Sequence, residues 1–298
     1  MKNIWIIVAA LVALGAIIYV VSSDSFSVTN NDRQTGPEVE VPMPVEPDDG
    51  IGDVAEPLPE DSGSEEKAEP VTTIGESAGG EDIVAYHFGE GGKEVLFVGG
   101  VHSGFAPNTV AVAENLIEEL ESGSIDLPED VRVTIVPNLN PDAPRAVNTL
   151  AGRLNENGVD LNRNFDCEWQ EEGVWQTQAV SGGEEPFSEP EAAALRELVD
   201  DNDFDAVVVY YAAAGGVFAS NCRGGVLPDT ATLTGLYAEA AGYTAFEEFD
   251  FYDITGDMVN WLASEEIAAI SVLLSDHQND EWAKNKAGIE AVLEFVAE

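Results

Sequence analysis

From residue 94 onward the apolar positions of this chain fall into two alternating patterns, short solid runs and longer stripes at helical spacing. Glu94-Val95-Leu96-Phe97-Val98 is a solid run bounded by glycines and predicts a buried strand. Pro107-Asn108 then opens a helix that puts Val112, Leu116, Ile117 and Leu120 on one face. Residues 131–136 predict a second strand, closed by Pro137-Asn138. Ser188-Glu189-Pro190-Glu191 has capping-box spacing with a proline in the first turn, and it starts a helix through Leu195, Leu198 and Val199. Residues 204–211 are apolar almost throughout, the pattern of a strand covered by helices on both sides. A helix around residues 233–241 and a strand over 270–274 follow. A closing helix from Trp282 turns Ile289, Val292, Leu293 and Val296 inward. This alternation predicts an α/β domain on a mixed, largely parallel sheet with helices on both faces. Functional loops then belong at the carboxyl ends of the strands.

Ahead of this domain the pattern changes twice. After Lys2, residues 4–21 form an unbroken apolar or small run, at the border between a secretory signal and a membrane-spanning helix. The favoured reading of residues 1–23 is an uncleaved anchor that leaves the remainder on the extracytoplasmic side, because the positive end precedes the run. Cleavage after Ser22 or Ser23, giving a secreted protein, is the alternative. Residues 24–71 are rich in Pro, Glu, Asp, Ser and Gly and bury too little apolar surface to offset ordering, so they predict a disordered acidic tether. The globular pattern occupies residues 72–298.

Charge narrows the functions available. Twelve Lys and Arg against 57 Asp and Glu give a formal net charge of -45. That field excludes nucleic acid and anionic headgroups as principal ligands. The two cysteines, Cys167 and Cys222, both fall in the globular part. Outside the membrane a single pair suggests a disulfide, with two separate buried thiols as the alternative.

The densest polar stretch is residues 157–165, Asn-Gly-Val-Asp-Leu-Asn-Arg-Asn-Phe. Asn and Asp here compete with regular backbone hydrogen bonding, while Val159, Leu161 and Phe165 anchor the segment, so it predicts a pinned loop. Arg163 offers a planar fork matched to a carboxylate. The alternative is a loop whose Arg and Asn side chains satisfy carbonyls.

The stretch Gly-Val-Asp-Leu-Asn-Arg-Asn-Phe resembles the substrate-binding loop of the zinc carboxypeptidases, nearest their bacterial branch of murein-peptide amidases, which cut near diaminopimelate in cell-wall stem peptides. Gly99-Gly100-Val101-His102, Asn138-Leu139-Asn140-Pro141-Asp142, Ala214-Gly215-Gly216-Val217-Phe218 and Ile254-Thr255-Gly256-Asp257 extend the resemblance over residues 73–296. It implies a carboxylate clamp at Asn162 and Arg163, an arginine that polarises the scissile carbonyl at Arg153, and a closing tyrosine at Tyr252. It also implies an acid, Asp160, that orients the first metal histidine, His102. The family's zinc needs two histidines and a glutamate, with a second glutamate to activate water. Here the glutamate ligand position reads Ala106, the second histidine position Tyr211, and the catalytic glutamate position Leu273. His87 and His277 are the other histidines, and His277 beside Asp276 reads as a surface ion pair.

The resemblance, less these residues, implies a tethered domain that holds the carboxylate of a peptide or stem peptide without zinc and without hydrolysis. An active zinc carboxypeptidase or amidase with atypical ligands is the alternative. A surface domain that keeps only the fold is the third reading.

Overall fold

The computed structural model describes residues 69–298. The anchor over residues 1–23, and the tether except for its last residues, lie outside the described residues. Among the described residues no helix is long and apolar enough to cross a membrane.

The sheet has eight strands. A central block of four runs parallel: β4 (Val131–Val136), β3 (Lys93–Val98), β7 (Phe204–Ala212) and β10 (Ala268–Leu274), in that spatial order. One edge is extended by β2 (Asp82–Phe88), antiparallel to β4, and then β1 (Val71–Glu76), antiparallel to β2. The other edge adds β8 (Gly216–Ala219), antiparallel to β10, and β9 (Thr244–Phe246), parallel to β8. A separate hairpin, β5 (Glu172–Trp175) with β6 (Gln178–Ser181), lies outside this sheet.

The pleat of the central strands divides the core in two. On one face Val95, Phe97, Val208, Tyr210, Ile270 and Val272 pack beneath α1 (Asn108–Glu121), α3 (Pro228–Ala241) and α5 (Trp282–Ala297). On the other, Leu96, Val98, Val207, Val209 and Ala269 pack beneath α2 (Pro190–Asp200) and α4 (Met258–Ser264). The inward stripe read for the closing helix, Ile289, Val292, Leu293 and Val296, is buried throughout. Burying such side chains contributes about 1.5–3 kcal/mol each.

The start of α2 differs from the capping-box reading. Glu189, not Ser188, is the N-cap, and no side chain caps the helix. The Ser188 hydroxyl donates to Glu189 Oε1 and accepts from Asn164 Nδ2 instead. Glu191 is buried, taking the backbone N–H of Ala78 and the amide of Asn155. The pull of the neighbouring loop on both residues outweighs the local cap.

Two features of this topology place the site. From β3 the chain crosses to β4 on one side, while β7 pairs with β3 on the other, so the carboxyl end of β3 is a topological switch point. Tyr211 and Leu273 are partners in register at the carboxyl ends of β7 and β10, and both belong to the core face beneath α2 and α4.

Candidate functional site

His102 follows β3 at the switch point and is buried. Its Nε2 lies 2.7 Å from Asp160 Oδ1. A carboxylate only accepts, so Nε2 carries the proton, and Nδ1 is left as the free nitrogen. Burial, with the positive charge of Arg153, pushes the His102 pKa down to about 4 against the pull of Asp160, so the imidazole is neutral at pH 7. Asp160 is fully buried. Burial alone would raise its pKa, but Arg153 and His102 together hold it well below the usual carboxylate range. Its Oδ2 takes Nε and Nη2 of Arg153, each at 2.9 Å. Its Oδ1 also accepts the Asn162 N–H at 3.2 Å, so one carboxylate caps its own loop and orients His102.

The Asn-Arg loop is a short 3-10 turn, Leu161–Arg163, and all three of its residues are buried. Asn164 pins it: its amide donates to Gly182 O at 2.7 Å and its Oδ1 accepts the Glu189 N–H. On the other side Phe165 N donates to Gly256 O, and Gly256 N to Cys167 O. Gly256 has φ +61, and a Cβ there would meet Arg163 O at 2.2 Å, so this close approach requires glycine. Cys167 and Cys222 form a disulfide with a Cα–Cα distance of 6.0 Å, tying this loop to the one after β8.

The Arg163 fork, read in the sequence as matched to a carboxylate, is turned inward. Its side chain is 1% exposed. Nε and Nη2 donate to Val174 O at 3.1 and 2.8 Å, and Nη1 donates to Asn162 O at 2.6 Å. The guanidinium thus satisfies carbonyls, the alternative left open for this loop. Three of its five N–H donors are engaged, and one on each Nη is not. Asn162 is likewise tied in. Its amide donates to Asp257 Oδ2 at 2.7 Å, and its Oδ1 accepts from the Tyr211 hydroxyl at 2.8 Å and from Met258 N at 3.1 Å.

The residues do not fit a zinc ion. Of the four positions the resemblance requires, only His102 offers a donor. Ala106 has none, and Leu273 has neither a ligand atom nor a base. Burial, reinforced by the charge of Asp257, raises the Tyr211 pKa well above its usual value. Tyr211 therefore keeps its proton and donates it to Asn162 instead of serving as a phenolate ligand. Its ring lies 5.8 Å from that of His102. Among the described residues no group of three or more His, Cys, Asp or Glu is arranged to hold a metal.

Two adjoining cavities open at the carboxyl ends of the strands. The inner one, of about 60 Å³, is bordered by His102, Arg153, Asn162, Arg163, Tyr211 and Tyr252. The outer one, of about 390 Å³, shares Arg153, Tyr252 and Leu273 with it and adds Phe105, Trp175 and His277. Tyr252 thus faces both, against the ring of Phe249 at 5.0 Å. His277 differs from the surface ion pair read for it: its ring meets Phe105 edge to face at 4.5 Å. The Asp276 carboxylate turns to the backbone N–H groups of Gln278 and Asn279. His87 lies apart in β2, between the hydroxyls of Thr72 and Thr134.

Three contributors carried no signal strong enough to assign them a role. Asp257 is the N-cap of α4, and the acid ahead of Met258 was the available hint. Phe105 and Trp175, in contact with each other, both pack on the Arg153 guanidinium at 5.3 and 5.0 Å, and nothing local to either announces that contact.

The profile of the zinc carboxypeptidase family matches residues 65–220, a span with His102, Asn162, Arg163 and Tyr211 inside and Tyr252 and Leu273 outside. Among characterised proteins, gamma-D-glutamyl-L-diamino acid endopeptidase 1 of Lysinibacillus sphaericus is 24% identical over 219 residues, 61% of this chain and 54% of the relative. The carboxypeptidase N catalytic chain of Homo sapiens is 33% identical over 116 residues, 32% of this chain and 25% of the relative. The chain thus spans about half the length of the first and a quarter of the second. The structure of murein-tripeptide amidase MpaA from Escherichia coli O157 superposes with a TM-score of 0.57 at 21% identity, over 75% of this chain and 92% of that one. Bovine thrombin-activatable fibrinolysis inhibitor superposes with a TM-score of 0.60 at 17% identity, over 76% and 88%. At these identities the structures share the fold.

Proposed function

Because this chain belongs to the zinc carboxypeptidase family, we propose that it keeps the family's peptide-end site without its hydrolysis and binds peptides through their terminal carboxylate. The observation that carries this is Tyr211. It stands where the second zinc histidine belongs and is hydrogen-bonded to Asn162, so the metal position is built into a neutral polar network. Leu273 beside it in register leaves no base at that position.

What remains offers donors to a small anionic end group, with the one lining carboxylate, Asp257, engaged by the Asn162 amide. The inner cavity holds a carboxylate or a few waters but not a large side chain. Arg153 and Arg163 border it with unengaged N–H donors, and His102 is neutral there. The rest of the ligand extends into the outer cavity. Charge-assisted bonds contribute on the order of 1.5–3 kcal/mol each before ordering costs, so the expected binding is weak. Similarity to an endopeptidase for gamma-D-glutamyl-L-diamino acids and to a murein-tripeptide amidase favours cell-wall stem peptides as the ligand class. The apolar run over residues 4–21 and the acidic stretch after it support a domain anchored at the membrane and displayed outside it. There a high local density of wall peptides compensates for weak affinity.

Calorimetric titration tests the reading. Short peptides with a free C-terminal carboxylate should bind, and their C-terminal amides should bind at least about tenfold more weakly, one lost charge-assisted bond. Equal binding of acid and amide would overturn it.

A further inference from the structure

The outer cavity departs from the rest of the molecule in charge. Asp and Glu supply 57 of the 298 residues, yet among the described residues no carboxylate lines this cavity of about 390 Å³. Its basic side chains are Arg153 and His277. Both pack on the ring of Phe105, the Arg153 guanidinium carbon 5.3 Å from its centre and the His277 ring at 4.5 Å, so they are neighbours across one aromatic. Phe105 and Trp175, in edge-to-face contact with each other, pack together on one side of the guanidinium, and its Nε and Nη2 face Asp160. Arg153 therefore keeps both N–H donors of Nη1 and one of Nη2 for a carboxylate oxygen. Asn148, Gln176 and Thr177 add further polar groups to the wall.

We infer that the outer cavity is a second carboxylate seat, in which Arg153 and His277 bind an acidic side chain next to the terminal residue of the peptide. The inference rests on the reading that the terminal carboxylate occupies the inner cavity. It names the ligand class more narrowly, as peptides with two carboxylates close together at their end. The charged groups acting on His277 are Asp276 on its own loop and Arg153 from the opposite wall. Burial, with Arg153, lowers the His277 pKa against the pull of Asp276, so at neutral pH the seat offers the free N–H donors of an Arg153 already paired with Asp160, and acid adds the charge of His277.

The test titrates the full chain with three tripeptides alike except at the end: a penultimate Glu with a free terminus, a penultimate Gln with a free terminus, and a penultimate Glu with an amidated terminus. Salt is kept at about 0.5 M, where the field of the surrounding acids is screened to a few Å. The second seat predicts that the free Glu peptide binds about tenfold more tightly than the Gln peptide. That ratio should widen as pH falls below the ordinary imidazole range and acid charges His277, as far down as the glutamate side chain stays ionised. His277→Gln should bring the ratio toward unity and abolish its pH dependence. Equal binding of the Glu and Gln peptides, with the amide weaker, would overturn the second seat and leave the terminal seat standing. Equal binding of acid and amide with a persistent Glu preference would do the reverse. Binding of none of the three would overturn both.

Discussion

His102, Asp160 and Arg153 form a chain of side chains buried together, in which one carboxylate is shared by an imidazole and a guanidinium. Breaking such a pair on one side leaves the other charge uncompensated. Arg153→Ala should therefore lower unfolding free energy by about 3–5 kcal/mol, measured by urea denaturation. The same chain predicts a pH effect. The folded chain protonates His102 less readily than the unfolded chain does, so protonation favours unfolding. Its contribution is intact above the ordinary imidazole pKa and is lost as pH falls from there toward about 4. Asp160, with its pKa depressed, loses its contribution in the same direction at lower pH. Thermal melts of the wild type and of His102→Gln between about pH 7.5 and about pH 4 should show a flatter acid limb in the variant. Parallel curves would count against the buried neutral imidazole. At this scale the sequence was legible as spelling: Asn162 and Arg163 stand out in their polar stretch. Where the Arg163 guanidinium points was not legible, because it is set by Val174 O on a hairpin far along the loop.

The elements read most clearly were the buried strands and the long amphipathic helices, whose apolar positions cannot face water at this density. β1 and β2 were not delineated because their burial alternates weakly, and β8 and β9 because they are only four and three residues long. The β5–β6 hairpin escaped for a different reason: Trp175 owes its burial to Arg153 and Phe105, contacts with no local signature. The Cys167–Cys222 bridge joins the Asn-Arg loop to the loop after β8 across 55 residues. A closure of that length contributes about 4 kcal/mol through the unfolded chain. Cys167→Ser/Cys222→Ser should thus unfold at markedly lower denaturant, and a midpoint unchanged from the oxidised wild type would show that the bridge does not constrain the fold.

Across the whole molecule the α/β plan follows from alternation alone, while the surface is dominated by charge. With -45 formal charges, self-repulsion opposes the compact state, and screening relieves it. The melting temperature should rise steadily between about 0.1 and 1 M salt, and a flat or falling profile would show that the acids do not oppose folding. That field also makes the carboxylate-free outer cavity stand out as a place for anionic peptides. The central claim is that the family's catalytic centre has been replaced by a network around Tyr211, and the metal content of chain purified without chelator tests it most directly. The account predicts zinc far below one equivalent per chain, because His102 is the only donor left of the family's set. One tightly held equivalent, with peptide cleavage that a chelator abolishes, would contradict it.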